Sequence, residues 1–133
     1  MASLLTDVSG CSHAFERGFV VYTEDAKHEL LGVPLDLLRD PGAVSEPVAR
    51  AMAEGALAHS RADVSASVTG FAGAGGPSDE PGLVHFAVAV RNRPTLHRME
   101  RFGDLGRGEV RLRSIKVALQ MLQQSMAELG DHK

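Results

Sequence analysis

The sequence predicts a single layered α/β domain in which a mixed β-sheet is flanked by helices. Short apolar runs rich in β-branched residues alternate with stretches whose apolar residues recur at helical spacing, a pattern typical of layered α/β folds. At 133 residues and 44% apolar composition the chain is long enough to bury one core. It contains no internal repeat or low-complexity tract, so we treat residues 1–133 as one domain.

Four short segments are predicted to be strands, because each is rich in β-branched or aromatic residues or alternates apolar with polar positions. They span residues 19–23, 63–69, 83–90 and 96–102. In the second segment Val64, Ala66 and Val68 alternate with polar or small residues, which indicates a strand with one apolar face.

Helices are predicted between and after these strands. A short helix begins near Asp25, and a longer one runs from 45 to about 60, where Ser45 is a good N-cap followed by Glu46 and Pro47. The last helix runs from about 108 to 129 and carries an apolar stripe of Ile115, Ala118, Leu119, Leu122 and Met126. Residues 2–6 read as the final turn of another helix.

Composition excludes several classes of function. A net charge of −3 and a pI near 6.0 argue against a protein that binds nucleic acid through bulk electrostatics. The single cysteine, Cys11, cannot form an internal disulfide and fits a reducing compartment. No apolar stretch approaches the ~20 residues of a membrane span. We therefore expect a cytoplasmic protein with neither nucleic acid nor membrane as partner.

The histidines do not suggest a metal centre. The six His residues show no ligand spacing, and the Cys/His clusters of a structural zinc site are absent from the sequence. No metal and no cofactor are expected.

Tyr22 and Lys27 are the first candidates for chemistry, because they follow the apolar run Gly18-Phe-Val-Val directly. A Lys accepts a proton only where its surroundings hold its pKa far below the value in water, and a neighbouring Tyr hydroxyl can relay a proton. The alternative interpretation is an ordinary surface Lys beside a Tyr that serves only in packing.

A glycine-rich segment, residues 68–76, follows a predicted strand and is the second candidate. Glycines let backbone N–H groups approach a ligand and point at a phosphate or carboxylate. The segment lacks the Gly-Lys-Ser/Thr of a Walker loop, and no helix signal follows it as in a Rossmann fingerprint. A loop that merely connects two strands is the alternative.

Several segments together resemble one family, the C-terminal domain of CinA (competence/damage-inducible) proteins. The segments, in order, are Leu5-Thr-Asp-Val-Ser-Gly, Gly18-Phe-Val-Val-Tyr-Thr-Glu-Asp-Ala-Lys27, Leu30-Leu-Gly-Val33, Gly42-Ala-Val-Ser-Glu46, Val68-Thr-Gly-Phe-Ala-Gly73 and Gly103-Asp104. The resemblance covers nearly the whole chain.

This resemblance implies a nicotinamide mononucleotide deamidase, which hydrolyses the carboxamide to nicotinate mononucleotide and ammonia, and a homodimer. In the family a Ser nucleophile lies in a Glu-Ser-Cys/Met-Thr-Gly-Gly motif. Carried over, Lys27 takes the proton of that Ser, Tyr22 holds or relays it, and backbone N–H groups stabilise the oxyanion. The implied substrate-binding residues are Ser45, Thr69, Gly70, Ala72, Gly73, Gly75 and Gly76.

The chain also departs from the family pattern. The nucleophile motif would fall shortly before Met1, so either translation begins further upstream or the chain is a shortened paralogue without hydrolase activity. Glu24 stands close to Lys27 and would tend to keep the amine charged, the wrong direction for a base. Two hypotheses follow: an amidohydrolase acting on nicotinamide mononucleotide, and a non-catalytic nucleotide-binding or scaffold domain.

Overall fold

The computed structural model describes residues 15–71 and 79–130, with side chains up to residue 128. The predicted helix end at residues 2–6 and Cys11 lie outside the described residues. The elements, in chain order, are α1 (Glu24–Leu31), α2 (Leu35–Leu37), a π-type turn (Leu38–Gly42), α3 (Glu46–Ala58), β1 (Val64–Gly70), β2 (Leu83–Val90), β3 (Leu96–Arg101) and α4 (Arg107–Gly130). The helices predicted from near 25, at 45–60 and at 108–129 and three of the four predicted strands are thereby confirmed, and α2 and the π-type turn were not predicted.

The three strands form one sheet in the order β1-β2-β3. Both ladders are antiparallel: Val64 pairs with Val90 at one end of the first, and Leu83 pairs with Arg101 at one end of the second. The layered α/β class is confirmed, but among the described residues the sheet is antiparallel rather than mixed. The reason is the short connection between β2 and β3, turning through Asn92 at φ 65, which is too short for the crossover that a parallel pair needs.

The strand predicted at 19–23 is wrong. Residues 15–22 have no regular secondary structure, and Val20 and Tyr22 are 95% and 94% exposed. Thr23 ends this segment by capping α1, since its Oγ1 accepts a hydrogen bond from the N–H of Ala26 at 3.0 Å. β-Branched composition alone predicted the strand, but a strand also requires a neighbour, and no described residue pairs with this segment.

Two helices cover opposite faces of the sheet. Val84, Phe86, Val88 and Val90 of β2 face α4, whereas Ala87 and Ala89 face α3, where they meet Ala49 and Ala53. The alternation of side chains along a strand places successive residues on opposite faces. Because alanines line the second interface on both sides, α3 approaches the sheet closely.

Hydroxyl groups of β1 complete this close interface. Ser65 Oγ donates to the carbonyl of Ala53 at 2.5 Å, and Ser67 Oγ donates to the carbonyl of Ala49 at 2.6 Å. The polar half of β1 therefore bonds to the backbone of α3, which satisfies hydroxyls that would be costly to bury unpaired.

The buried stripe of α4 differs from the predicted one. Val110, Val117, Ala118 and Met121 face the sheet, with Ser114 and Ser125 buried beside them. Of the predicted stripe only Ala118 is buried; Met126 is 57% exposed. The predicted stripe follows the large apolar residues, but in the folded protein α4 is rotated so that the small Ser114 and Ser125 are buried instead.

No helix in the described ranges has the length and apolarity needed to cross a bilayer.

A second cluster holds α1 against α3. Leu31, Val33, Leu38 and Val48 are buried together, and α1 ends at Gly32 in the left-handed conformation, φ 70. Gly55 of α3 lies so close to Leu31 that a Cβ there would stand 1.9 Å from the Leu31 carbonyl oxygen. This contact fixes the position of the helix that carries Lys27.

Candidate functional site

Lys27 is buried, although most lysines are exposed. Its side chain lies in α1 with 7% of the residue exposed, and Nζ donates to the carbonyl of Val21 at 3.4 Å. The alternative interpretation of Lys27 as a surface residue is therefore wrong.

Burial lowers the pKa of the Lys27 ammonium, and the carboxylate of Glu24 raises that pKa by a smaller amount. Glu24 thus acts in the expected direction, but loss of hydration outweighs a charge that does not form an ion pair with Nζ. Among the described residues no carboxylate oxygen makes a salt bridge with Lys27. A buried amine without a counter-ion is suited to accept a proton.

Tyr22 precedes α1 and is 94% exposed. Its hydroxyl makes no hydrogen bond with the described residues, and none joins it to Lys27; the two are linked only through the backbone, because Nζ of Lys27 binds the carbonyl of the neighbouring Val21. The proton-relay role of Tyr22 stays a prediction.

Ser45 and Thr69 are brought to the same turn. Ser45 is the N-cap of α3, as predicted: its Oγ accepts from the N–H of Val48 at 3.4 Å and donates to the carbonyl of Gly42 at 2.7 Å. Thr69 Oγ1 donates to the carbonyl of Ala43 at 2.8 Å. The turn that begins α3 is therefore tied to the end of β1, and both hydroxyls keep lone pairs as acceptors.

The glycine-rich segment begins at this place. Gly70 ends β1, and a Cβ there would lie 2.8 Å from the Leu83 carbonyl oxygen, so the close pairing with β2 favours Gly. Ala72, Gly73, Gly75 and Gly76 lie outside the described residues. The substrate-binding roles of all these residues stay predictions.

Two histidines form a cluster that was not predicted. His85 Nδ1 lies 2.9 Å from His97 Nε2, and the rings stack with centroids 5.2 Å apart. Glu46 Oε1 lies 3.5 Å from His97 Nδ1, and Glu46 also binds Arg50 at 2.8 Å. His85 is opposite Thr69 in the β1–β2 register, so the cluster is adjacent to the turn described above.

The sequence spacing of the histidines reveals metal sites only, so it does not connect His85 with His97. The feature that does connect them is the alternation of side chains along a strand. It places His85 and His97 on the same face of two adjacent strands, as diagonal neighbours in the β2–β3 register. In the parts of the chain that the structure describes, no group of three metal-binding side chains converges.

Both histidines are held toward their neutral forms. Burial lowers the pKa of His85, and the neighbouring His97 and Arg101 lower it further, whereas Glu46 raises it. Burial also lowers the pKa of His97, with Glu46 opposing this effect and Arg50 adding to it. The pKa of Glu46 is lowered, first by its hydrogen bond to Arg50 and then by His97.

This cluster predicts a pH-dependent stability. As pH falls through 6.5, the ordinary histidine value, the unfolded chain binds protons before the folded chain does, because the folded pKa values of His85 and His97 lie lower. The free energy of unfolding should therefore decrease with falling pH from 6.5 down to the folded pKa values. Urea unfolding at pH values of about 7.5, 6.5 and 5.5 measures this slope.

The control is the double variant His85→Gln/His97→Gln, in which the slope over this pH range should flatten. A wild-type stability that stays constant or rises as pH falls from about 7.5 to 5.5 would contradict the lowered pKa values.

A separate groove of about 560 Å³ lies between the end of α1 and α3. Leu31, Pro34, Pro47, Gly55 and His59 are among its lining residues. None of the predicted site residues lines it, so we do not assign the site to this groove.

Comparison with known proteins gives one consistent family. The family model described as CinA C-terminal domain matches residues 1–126. Nicotinamide-nucleotide amidohydrolase PncC of Escherichia coli K12 is 44% identical over 131 residues, which is 96% of this chain and 78% of that protein. A putative competence-damage inducible protein of Caldicellulosiruptor bescii is 41% identical over 126 residues, 93% of this chain and 30% of that protein.

Several of these relatives are much longer than this chain. It spans 30%, 22% and 24% of the length of the proteins from Caldicellulosiruptor bescii, Symbiobacterium thermophilum and Akkermansia muciniphila that it matches. The match to PncC, by contrast, includes most of both proteins.

Solved structures share the fold. The competence/damage inducible protein CihA of Agrobacterium tumefaciens superposes with a TM-score of 0.88 at 47% identity, covering 92% of this chain and 76% of that one. A CinA superfamily protein of Escherichia coli superposes with a TM-score of 0.85 at 32% identity, over 92% of this chain and 72% of that one. Sequence and fold agree, and the chain belongs to the CinA C-terminal domain family.

Proposed function

We propose that this chain is a nicotinamide mononucleotide deamidase domain in which Lys27 is the proton acceptor. The observation that carries the proposal is the burial of Lys27, whose pKa is lowered by loss of hydration and which has no carboxylate counter-ion among the described residues. Support comes from the similarity to the amidohydrolase PncC over nearly the whole chain.

The reaction needs a group that removes a proton from a hydroxyl. In the proposed mechanism the neutral Lys27 amine takes the proton of a Ser hydroxyl while the Ser oxygen bonds to the carboxamide carbon. The ammonium of Lys27 then returns the proton to the amide nitrogen, the C–N bond breaks and ammonia leaves. Water hydrolyses the resulting ester and releases nicotinate mononucleotide and the free Ser.

The nucleophile in this proposal is the Ser that family resemblance assigns to a Glu-Ser-Cys/Met-Thr-Gly-Gly motif, which residues 1–133 do not contain. Tyr22 holds or relays the proton next to Lys27. Ser45, Thr69 and Gly70, which the structure gathers at the end of β1 and the start of α3, belong to the nucleotide pocket together with the glycine-rich segment. No metal or cofactor has a role in this mechanism.

Ammonia release from nicotinamide mononucleotide tests the function. Two proteins are compared: residues 1–133, and the same chain preceded by the in-frame codons upstream of Met1 in its gene. We expect the longer protein to release ammonia and nicotinate mononucleotide, and the shorter one to bind the nucleotide in a calorimetric titration without turning it over.

An in-frame stop codon directly upstream, or an extended protein without turnover, would refute the hydrolase. The alternative, a non-catalytic nucleotide-binding domain, predicts binding without turnover by both proteins. Absence of binding by residues 1–133 would refute that alternative.

A further inference from the structure

The carboxylate of Glu46 favours one of the two neutral tautomers of His97. Glu46 Oε1 lies 3.5 Å from His97 Nδ1, and a negative charge at this position favours the tautomer with hydrogen on Nδ1. Neutral His97 then has a lone pair on Nε2, because a neutral imidazole carries one N–H.

The tautomer of His97 in turn sets the tautomer of His85. The two rings approach at 2.9 Å between His85 Nδ1 and His97 Nε2, and a hydrogen bond of this length requires one donor and one acceptor. Since His97 Nε2 is the acceptor, His85 Nδ1 is the donor. The second nitrogen of His85, Nε2, is therefore an unprotonated acceptor, and it makes no hydrogen bond with any described residue.

The surroundings keep both rings neutral near pH 7. Burial of the two rings lowers their pKa values, and Arg101 on β3 and Arg50 on α3 act in the same direction; Glu46 opposes them. Glu46 is itself occupied by Arg50 at 2.8 Å, and Arg101 is paired with Glu80 at 3.0 Å. The series Glu46–His97–His85 thus consists of one carboxylate and two neutral imidazole rings, and the N–H groups of both rings are directed toward the Glu46 end.

Nε2 of His85, the nitrogen without a hydrogen-bond partner among the described residues, belongs to a ring next to the proposed nucleotide pocket. His85 is directly opposite Thr69 on the face of the sheet that α3 covers, and Thr69 Oγ1 is bonded to Ala43 at the turn that starts α3. Residues opposite each other in an antiparallel pair have Cβ atoms roughly 4.5–5.5 Å apart, so both side chains can contact one ligand.

We propose that His85 is a substrate-orienting residue whose Nε2 accepts a hydrogen bond from an N–H or O–H group of the bound pyridine nucleotide, with Glu46 and His97 as positioning residues. This inference rests on the proposed function, because the nucleotide has to bind beside Thr69. The donor is either the carboxamide N–H₂ or a ribose hydroxyl.

Nitrogen NMR of the 133-residue chain with ¹⁵N-labelled histidine tests the inference directly. Without ligand, His85 should show a protonated Nδ1 and an unprotonated Nε2. Nicotinamide mononucleotide should shift the Nε2 resonance. Nicotinate mononucleotide, which lacks the amide N–H₂, should shift it too if a ribose hydroxyl is the donor, and should leave it unchanged if the carboxamide is the donor.

Two variants test the inference further, one through affinity and one through the tautomer of His85. His85→Phe should weaken binding of nicotinamide mononucleotide about three- to tenfold, the effect of one neutral hydrogen bond. Glu46→Gln, on the helix surface, should leave the fold intact and lower the fraction of His85 with hydrogen on Nδ1. Glu109→Gln is its matched control, because Glu109 pairs with Arg113 across one helical turn at 2.9 Å in the first turn of α4.

The outcomes separate this inference from the proposed function. If the nucleotide shifts the backbone resonances of Thr69 and Lys27 but leaves His85 Nε2 unchanged, the role of His85 is refuted and the function stands. A protonated Nε2 in the free protein refutes the tautomer argument by itself. If the nucleotide shifts no resonance of the 133-residue chain, the role of His85 is refuted, and ammonia release by the extended protein still decides the hydrolase.

Discussion

Replacing Lys27 by Met should lower the turnover number of the extended protein at least about 100-fold, because a general base contributes about 10²–10⁴ to a proton-transfer step. The Michaelis constant should change little, since the amine acts on the nucleophile rather than on the nucleotide. Steady-state ammonia release at saturating nicotinamide mononucleotide measures both quantities.

The same substitution should leave the free energy of unfolding unchanged or raise it. Lys27 is buried without a salt bridge among the described residues, so its ammonium loses hydration on folding, whereas Met is apolar and of similar length. A gain in stability with a loss of activity is the expected signature of a destabilising functional group.

Lys116→Met on the exposed side of α4 is the matched control. It should alter neither turnover nor stability appreciably, because surface substitutions usually stay within about 0.5 kcal/mol. If Lys27→Met retains the turnover of the control, Lys27 is not the proton acceptor, and the proposed mechanism is wrong.

Gly55→Ala should destabilise the protein by about 3 kcal/mol, at the upper end of overpacking effects. In a helix interior Ala ordinarily stabilises by roughly 0.5–1 kcal/mol relative to Gly, so propensity alone predicts the opposite sign. The clash decides the result: a Cβ at residue 55 would lie 1.9 Å from the Leu31 oxygen and 2.8 Å from its carbonyl carbon. These are backbone atoms, so relief requires α1 to move.

Movement of α1 should also alter the surroundings of Lys27, which lies one turn before Leu31. Urea unfolding measures the loss of stability, and ammonia release by the extended protein should fall with it. Gly108→Ala is the control in the first turn of α4, where a Cβ meets no atom within 4 Å; it should be neutral or slightly stabilising. Equal or higher stability of Gly55→Ala would show that α1 does not rest on α3 as described.

Local signals in the sequence were enough to locate most of the secondary structure. Ser45, Glu46 and Pro47 marked the start of α3, and the alternation of Val64, Ala66 and Val68 marked β1. Such signals act within a few residues through capping bonds, backbone angles and side-chain periodicity, so they can be read without knowing the tertiary contacts.

The same local reasoning failed where a neighbour was required. Residues 19–23 have strand composition but no described ladder partner, and α4 buries Ser114 and Ser125, which lie outside the predicted apolar stripe. Pairing and helix rotation depend on what packs against an element, and composition carries no information about that partner.

Sequence alone determined the layered class, three helices and three strands in their order and, through motif resemblance, the family and the candidate Lys27. Only the tertiary structure decided that Lys27 is buried, that burial outweighs Glu24, and that Glu46, His97 and His85 form a chain beside Thr69. The physical reason is that pKa and tautomer depend on hydration and on charges a few ångströms away, and folding brings those charges from distant positions in the chain.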